Sequence, residues 1–374
     1  METKHILDLA PSQNNNRNSE GAFITLENGD ILFVYTRYRG AGYDDECTAD
    51  LYGMISTDEG ESFEEPFLVF SCEDAGADNI MSVSLLRMAN GDIGLFYLQK
   101  HNTEIFCLPY LTRSADEGKT WSEHIKCVKE DGYYVLNNDR VIRLENGRLL
   151  MALAKHSTMK RPDGRADFGE GTIYIMASDD DGRTWNPLAE DMKLPITIWN
   201  DHAVGKLWSC SSAMEPGVVQ LERGLIWCYI RTILGRQYEM FSEDNGETWT
   251  VPGPSRFTSP DSPLCAKRLS DDSLLVVWNP IPKYNGSISV VDGTWTGGRK
   301  QLNVALLDKE GKRFLTNEIL EYDEGSGYCY TAIYETKTGD ILLAYCAGGK
   351  GDQNCLSRLR VKKIYKESLL AFKE

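Results

Sequence analysis

The chain has 374 residues, 41% hydrophobic and 26% charged, with a net charge of −16. That composition provides a large buried core and excludes a disordered protein. The negative surface disfavours nucleic acid and anionic membranes as partners, so an anion site must be a local arginine cluster. No stretch has the apolar length that crosses a bilayer.

Met1–Asn16 is polar and has no signal-like apolar run. The expectation is a cytoplasmic protein whose ten scattered cysteines are reduced thiols. A hairpin pattern then recurs along the chain. It appears first at Leu26–Tyr35 around Asn28-Gly29, and next at Met88–Tyr97 around Asn90-Gly91. Further copies lie at Leu144–Leu150, Leu221–Trp227, Leu269–Trp278 and Thr336–Tyr345. Asn-Gly between apolar runs is a strong hairpin signal because both turn residues tolerate positive φ.

A second pattern, Ser-x-Asp-x-Gly-x-(Ser/Thr)-(Trp/Phe), follows four of these hairpins. It occupies Ser56–Phe63, Ser114–Trp121, Ser178–Trp185 and Ser242–Trp249, and a degenerate copy covers Leu307–Phe314. The aspartates, Asp58, Asp116, Asp180 and Asp244, are spaced by 58, 64 and 64 residues. In such a turn Asp bonds backbone amides, Gly supplies an unusual φ and the aromatic packs back onto the sheet. Trp121, Trp185 and Trp249 are therefore core residues. Six hairpins predict an all-β, six-bladed β-propeller with four antiparallel strands per blade, as one domain over 1–374. Either His5–Leu9 or Leu359–Tyr365 closes the last blade.

Strand direction sorts residues into two ends. The Asn-Gly and Asp turns lie at one end. Strand starts and the long connections 157–170, 190–212 and 280–298 lie at the other, where sites are usually built. This rule sends Arg17, Glu20, Arg37, Asp44, Asp45, Asp139, Arg140, His156, Glu215, Arg231, Tyr238, Arg299, Tyr328 and Tyr330 to one rim. Glu20, Glu215 and the pair Tyr328/Tyr330, read as sharing one strand face, point to a central pocket. Arginines, carboxylates and tyrosines together suit an acidic sugar. Trp208 and Trp295 sit in rim loops, where a ring can stack on a sugar. The five histidines show no ligand spacing, so neither metal nor cofactor is expected.

The Ser-x-Asp-x-Gly turns are Asp-boxes, and through them the chain resembles the sialidase-like propellers over nearly its whole length. The resemblance implies a carboxylate clamp of three arginines, an aspartate acid/base and a tyrosine nucleophile helped by a glutamate. Glu215-Pro-Gly-Val-Val-Gln-Leu followed by Arg231 is similar to the segment that supplies the glutamate and second arginine. Arg299 is similar to the third arginine. Tyr330, with Tyr328 as alternative, falls at the nucleophile, and Asp45, with Asp44 as rival, at the loop aspartate. The aromatic-Arg-Ile-Pro segment of the family is replaced by Arg17-Asn-Ser-Glu20-Gly-Ala, the pattern of a divergent branch. The resemblance implies a glycoside hydrolase acting on a terminal acidic sugar. Two other readings keep the fold: a uronic-acid lyase using tyrosine and histidine, and a non-catalytic glycan- or protein-binding propeller.

Overall fold

The computed structural model describes residues 1–40, 42–102, 105–160, 166–195, 212–281 and 289–370. Trp208 lies outside them. The regular structure of the described residues is almost all β-strand, with a 3-10 turn at Glu222–Gly224 and one short α-helix at Lys366–Leu370. None of its helices is long and apolar enough to cross a membrane.

The strands run up and down within each four-stranded sheet. Asn18–Thr25, Ile31–Tyr38, Ala49–Ser56 and Phe67–Phe70 form the first four-stranded sheet in that order. Met214–Gln220, Ile226–Arg231, Arg236–Ser242 and Gly253–Thr258 form another. Cys265–Arg268, Leu274–Trp278, Gln301–Leu307 and Phe314–Tyr322 form a third. The fourth starts with Cys329–Glu335 and Ile341–Cys346. It continues with Leu359–Ile364 and ends on Thr3–Leu9, so both segments expected as alternatives for its closure take part.

Between the first and second of these lies a nine-stranded sheet, a departure from the expected separate units. Asn79–Arg87, Ile93–His101, Phe106–Ser114 and Ile125–Lys126 make one side of it, and Ile142–Arg143, Leu149–Lys160, Ala166–Ser178 and Asn186–Met192 the other. The short strand Tyr133–Val135 joins them, parallel to Phe106–Ser114 and antiparallel to Leu149–Lys160. Sheet faces meet through buried apolar clusters, such as Val34, Leu51, Val83 and Leu95 between the first two units. Several of the inner strands contact one another from sheet to sheet. Asn18–Thr25 touches both Asn79–Arg87 and Cys329–Glu335. Met214–Gln220 touches Leu149–Lys160 and Cys265–Arg268, which reaches Cys329–Glu335.

The four Ser-x-Asp-x-Gly turns fold alike. In the first, Ser56 Oγ donates to Asp58 at 2.8 Å, and the amide and hydroxyl of Ser62 donate to the same carboxylate at 2.9 and 2.6 Å. Asp116, Asp180 and Asp244 repeat these bonds. The degenerate copy keeps only an amide bond, from Lys312 to Asp308 at 2.8 Å. The residue before each turn glycine, Glu59, Glu117, Asp181 or Asn245, also has positive φ. Three of these side chains reach a neighbouring hairpin. Glu117 accepts from the Glu27 amide, Asp181 from that of Ala89, and Glu59 from that of Lys337. The last of these ties the first sheet to the last.

Candidate functional site

Four of the first strands carry a local defect, whereas Cys265–Arg268 pairs in continuous register. Register shifts fall between Ser19 and Ala22, Met81 and Ser84, Met214 and Gly217, and Cys329 and Ala332. At each shift one non-glycine residue has positive φ: Glu20 at 55°, Ser82 at 62°, Glu215 at 42° and Tyr330 at 57°. A bulge re-aims a side chain, and a left-handed backbone at a bulky residue costs on the order of 1–3 kcal/mol. All four side chains line one cavity of about 180 Å³. Asp45, Lys100, Tyr133, Asn137 and His156 complete its polar wall, and Met81, Leu98, Cys107 and Val135 its apolar one.

Tyr330 is the centre of a bonded cluster. Its hydroxyl donates to Glu215 Oε1 at 3.0 Å and accepts from Arg231 Nη1 at 3.2 Å. Arg231 also pairs with Glu215 Oε2 at 2.6 Å and, through Nε, with Asp261 at 2.8 Å. Burial, reinforced by the Glu215 charge, raises the Tyr330 phenol well above its ordinary value against the pull of Arg231 and Arg299. The phenol therefore holds its proton at neutral pH. Arg299, 1% exposed, faces the Tyr330 ring at 5.4 Å and donates twice to the Asp261 carbonyl, at 3.1 and 2.8 Å. Arg140 donates to the Glu215 carbonyl at 2.8 Å and to the Leu264 carbonyl at 2.6 Å, so it braces the bulge from behind.

Across the cavity, Arg17 is 1% exposed and pairs with Asp45 at 2.6 Å and Glu20 at 3.4 Å. Burial drives the Glu20 carboxyl up to about 8, although Arg17 opposes it; the Asp45 and Glu215 charges add to the rise. Asp45 is 48% exposed at the cavity mouth. Burial favours its neutral form too, but Arg17 and Lys100 together hold it below the usual carboxylate range. Lys100 Nζ donates to the Asp45 carbonyl at 3.1 Å. Burial lowers His156 below its ordinary value, leaving a neutral imidazole at pH 7.

Of the rim residues expected from the sequence, Glu20, Asp45, His156, Glu215 and Tyr330 share the cavity, and Arg17, Arg231 and Arg299 support it. Others stand apart. Tyr328 points into the core against Tyr345, because the bulge after Cys329 breaks the alternation that would have put it beside Tyr330. Tyr238 is core as well, 4% exposed. Arg37 stacks on Tyr52 at 4.6 Å, and Asp44 is exposed, its carbonyl closing a turn with the Cys47 amide. Asp139 pairs with Lys267 at 2.8 Å and accepts from the Ile333 amide. Trp295 lies 5.3 Å from the Arg299 guanidinium. Lys100, Ser82 and Asp261 are site residues that the strand-end rule passed over. Ser82 carries a signal: like Glu20, Glu215 and Tyr330, it stands nine residues before a hairpin glycine. Among the described residues, one group has metal-like spacing, Asp50, Cys72 and Glu73. The Arg39 guanidinium already fills it, at 2.8 Å from Asp50 and 2.7 Å from Glu73.

Residues 74–343 match the model of the BNR repeat-like domain. No curated protein matches the chain. Solved structures share its fold. A protein of unknown function from Dyadobacter fermentans superposes with a TM-score of 0.69 at 18% identity, covering 97% of this chain and 99% of that one. The NanB sialidase of Streptococcus pneumoniae gives 0.69 at 15%, covering 98% and 71%. The intramolecular trans-sialidase of Ruminococcus gnavus, solved with oseltamivir carboxylate, gives 0.69 at 15%, covering 98% of each chain.

Proposed function

The chain belongs to the BNR repeat-like domain family, and we propose that it is a sialidase-type glycoside hydrolase on a six-bladed β-propeller, removing a terminal acidic sugar. In this reading each run of four strands is a blade, and Tyr133–Val135 is an insertion bridging blades two and three. The observation that carries the chemistry is the Tyr330 hydroxyl held between Glu215 at 3.0 Å and Arg231 at 3.2 Å, in a cavity that Asp45 also lines.

Tyr330 is the nucleophile. A neutral phenol approaches an anionic sugar without the repulsion a carboxylate would meet, and Glu215 takes its proton as the bond to the anomeric carbon forms. Arg231 stabilises the phenolate character that develops on Tyr330. Asp45, at the open mouth, protonates the departing oxygen. In the resting protein it is ionised on Arg17. A substrate carboxylate that takes its place on Arg17 removes the cation holding it low, and its pKa rises into the range of a proton donor. Arg231, already seated on Asp261, is the second guanidinium of the clamp, and Arg299 stiffens the Tyr330 side. Glu20, protonated at pH 7, presents no negative charge to the sugar.

The test is fluorophore release from an aryl α-sialoside. Wild-type protein is expected to turn over. Asp45→Ala is expected to slow turnover at least 100-fold. No release by the wild type removes sialic acid as the substrate. One observation favours a second reading on the same fold: neutral His156 shares the cavity with Tyr330, a base and acid pair for β-elimination of a uronate. An unsaturated, ultraviolet-absorbing product from a uronate oligosaccharide distinguishes it.

A further inference from the structure

Behind Tyr330 three thiols, Cys329, Cys346 and Cys355, form a separate buried cluster, each at most 1% exposed. We propose that Cys329 is an oxidant-reactive thiol that forms a reversible disulfide with Cys346 across the last hairpin.

Cys329 and Cys346 stand directly opposite in the antiparallel register. Opposed residues in such a pair have Cα atoms about 4.5–5.5 Å apart, inside the range a disulfide spans. Arg299 Nη1 donates to Cys329 Sγ at 3.1 Å. Burial alone would raise this thiol, but hydrogen bonds from the Cys346 and Cys355 thiols, with the Arg299 charge, pull it well below its ordinary value. The same contacts, added to burial, hold Cys346 and Cys355 up as neutral donors. Among the other described thiols, Cys72 also accepts from an arginine, Arg39 at 3.4 Å, but burial with the Asp50 and Glu73 charges raises it to about 11. Burial pushes Cys107 and Cys265 up to about 12. A thiolate beside an arginine is the reactive form. The next residue, Tyr330, lines the cavity, while Cys329 itself is 1% exposed, so a water-sized oxidant must pass the Tyr330 ring to reach the sulfur.

The chemistry with hydrogen peroxide balances. The Cys329 sulfur attacks one peroxide oxygen, the O–O bond breaks, and a sulfenic acid and hydroxide result. The Cys346 sulfur, losing its proton, then attacks the Cys329 sulfur. The S–O bond breaks, water leaves and the S–S bond forms. Two electrons pass from the two sulfurs to peroxide. Arg299 then faces Tyr330 with one anionic acceptor fewer.

The full-length protein is treated with sub-millimolar peroxide, quenched by alkylation and mapped by peptide mass spectrometry, a readout independent of hydrolysis. The expected product is a Cys329–Cys346 linked peptide, formed while the circular dichroism stays native and reversed by dithiothreitol. Cys346→Ser should instead leave a Cys329 sulfenic acid that dimedone traps, and Cys355→Ser should leave the link in place. Absence of the link, a Cys329–Cys355 bridge, or linkage that appears only with unfolding overturns the proposal.

Discussion

Glu20 and Asp45 share one cavity and one arginine yet hold opposite charge states, because Arg17 with Lys100 outweighs burial at Asp45 and not at Glu20. Glu20 is 3% exposed and rises to about 8, whereas the half-exposed Asp45 takes the shorter bond to Arg17 and stays ionised. A carboxyl raised in the folded state adds stability that is fully present below its unfolded value of about 4.5 and is lost as pH climbs to about 8. Glu20→Gln should therefore melt progressively above the wild type as pH rises from about 4.5 to 8, with the gap constant beyond. Differential scanning fluorimetry across that range checks it; a gap independent of pH contradicts the neutral Glu20. Hydrolysis of an acidic substrate should also fall above about pH 8 as Glu20 ionises, and Glu20→Gln should flatten that limb. Most site residues were legible from strand ends, since Glu215, Arg231, Arg299 and Asp45 all fall where one strand stops or the next begins. Lys100 was not: it sits at the end of an apolar run, and nothing local marks its ammonium as buried against the Asp45 loop.

At the scale of elements, the bulges in four of the first strands do the aiming. The hairpin glycines were read directly from Asn-Gly. The bulges were not, because the defect is set by how neighbouring strands crowd the centre rather than by turn chemistry. Their common spacing of nine residues before the glycine at Glu20, Ser82, Glu215 and Tyr330 becomes visible only once the register is known. Ordinary period-two alternation put Tyr328 and Tyr330 on one face, and the bulge separated them. The Asp turns also carry more than their own hairpins. Asp181 accepts from the Ala89 amide of the adjoining unit and pairs with Arg143 at 2.6 Å. Asp181→Ala should cost roughly 1–3 kcal/mol, because it removes the carboxylate partner of the partly buried Arg143 and Arg113 and leaves the Ala89 amide without its acceptor. Asp131→Ala, which removes an exposed partner of Lys126, should cost under about 1 kcal/mol. Thermal melts of the two variants compare them; equal shifts contradict a welding role for Asp181.

Across the whole molecule, the chain closes its last sheet with its own first strand. Thr3–Leu9 lies outside Leu359–Ile364, and Asp8 pairs with Arg360 at 2.8 Å. Removing residues 1–10 should leave an unpaired strand edge, lower the melting temperature and promote association, as light scattering would show. A monomer with unchanged melting would contradict that closure. Six repeated hairpins made the all-β architecture legible. The fusion of two units by Tyr133–Val135 was not, because three residues carry too little pattern to be read as a strand. Four of the first strands bring Glu20, Ser82, Glu215 and Tyr330, distant in sequence, to one cavity. The nucleophilic role of Tyr330 is the claim on which the account turns. The most direct measurement is peptide mass mapping after incubation with a fluorinated sialosyl donor that slows release of the glycosyl-enzyme. A sugar adduct is expected on Tyr330 in the wild type and none in Tyr330→Phe, which should still bind the sugar while losing turnover at least 1,000-fold. An adduct on another residue, or undiminished turnover by Tyr330→Phe, would contradict it.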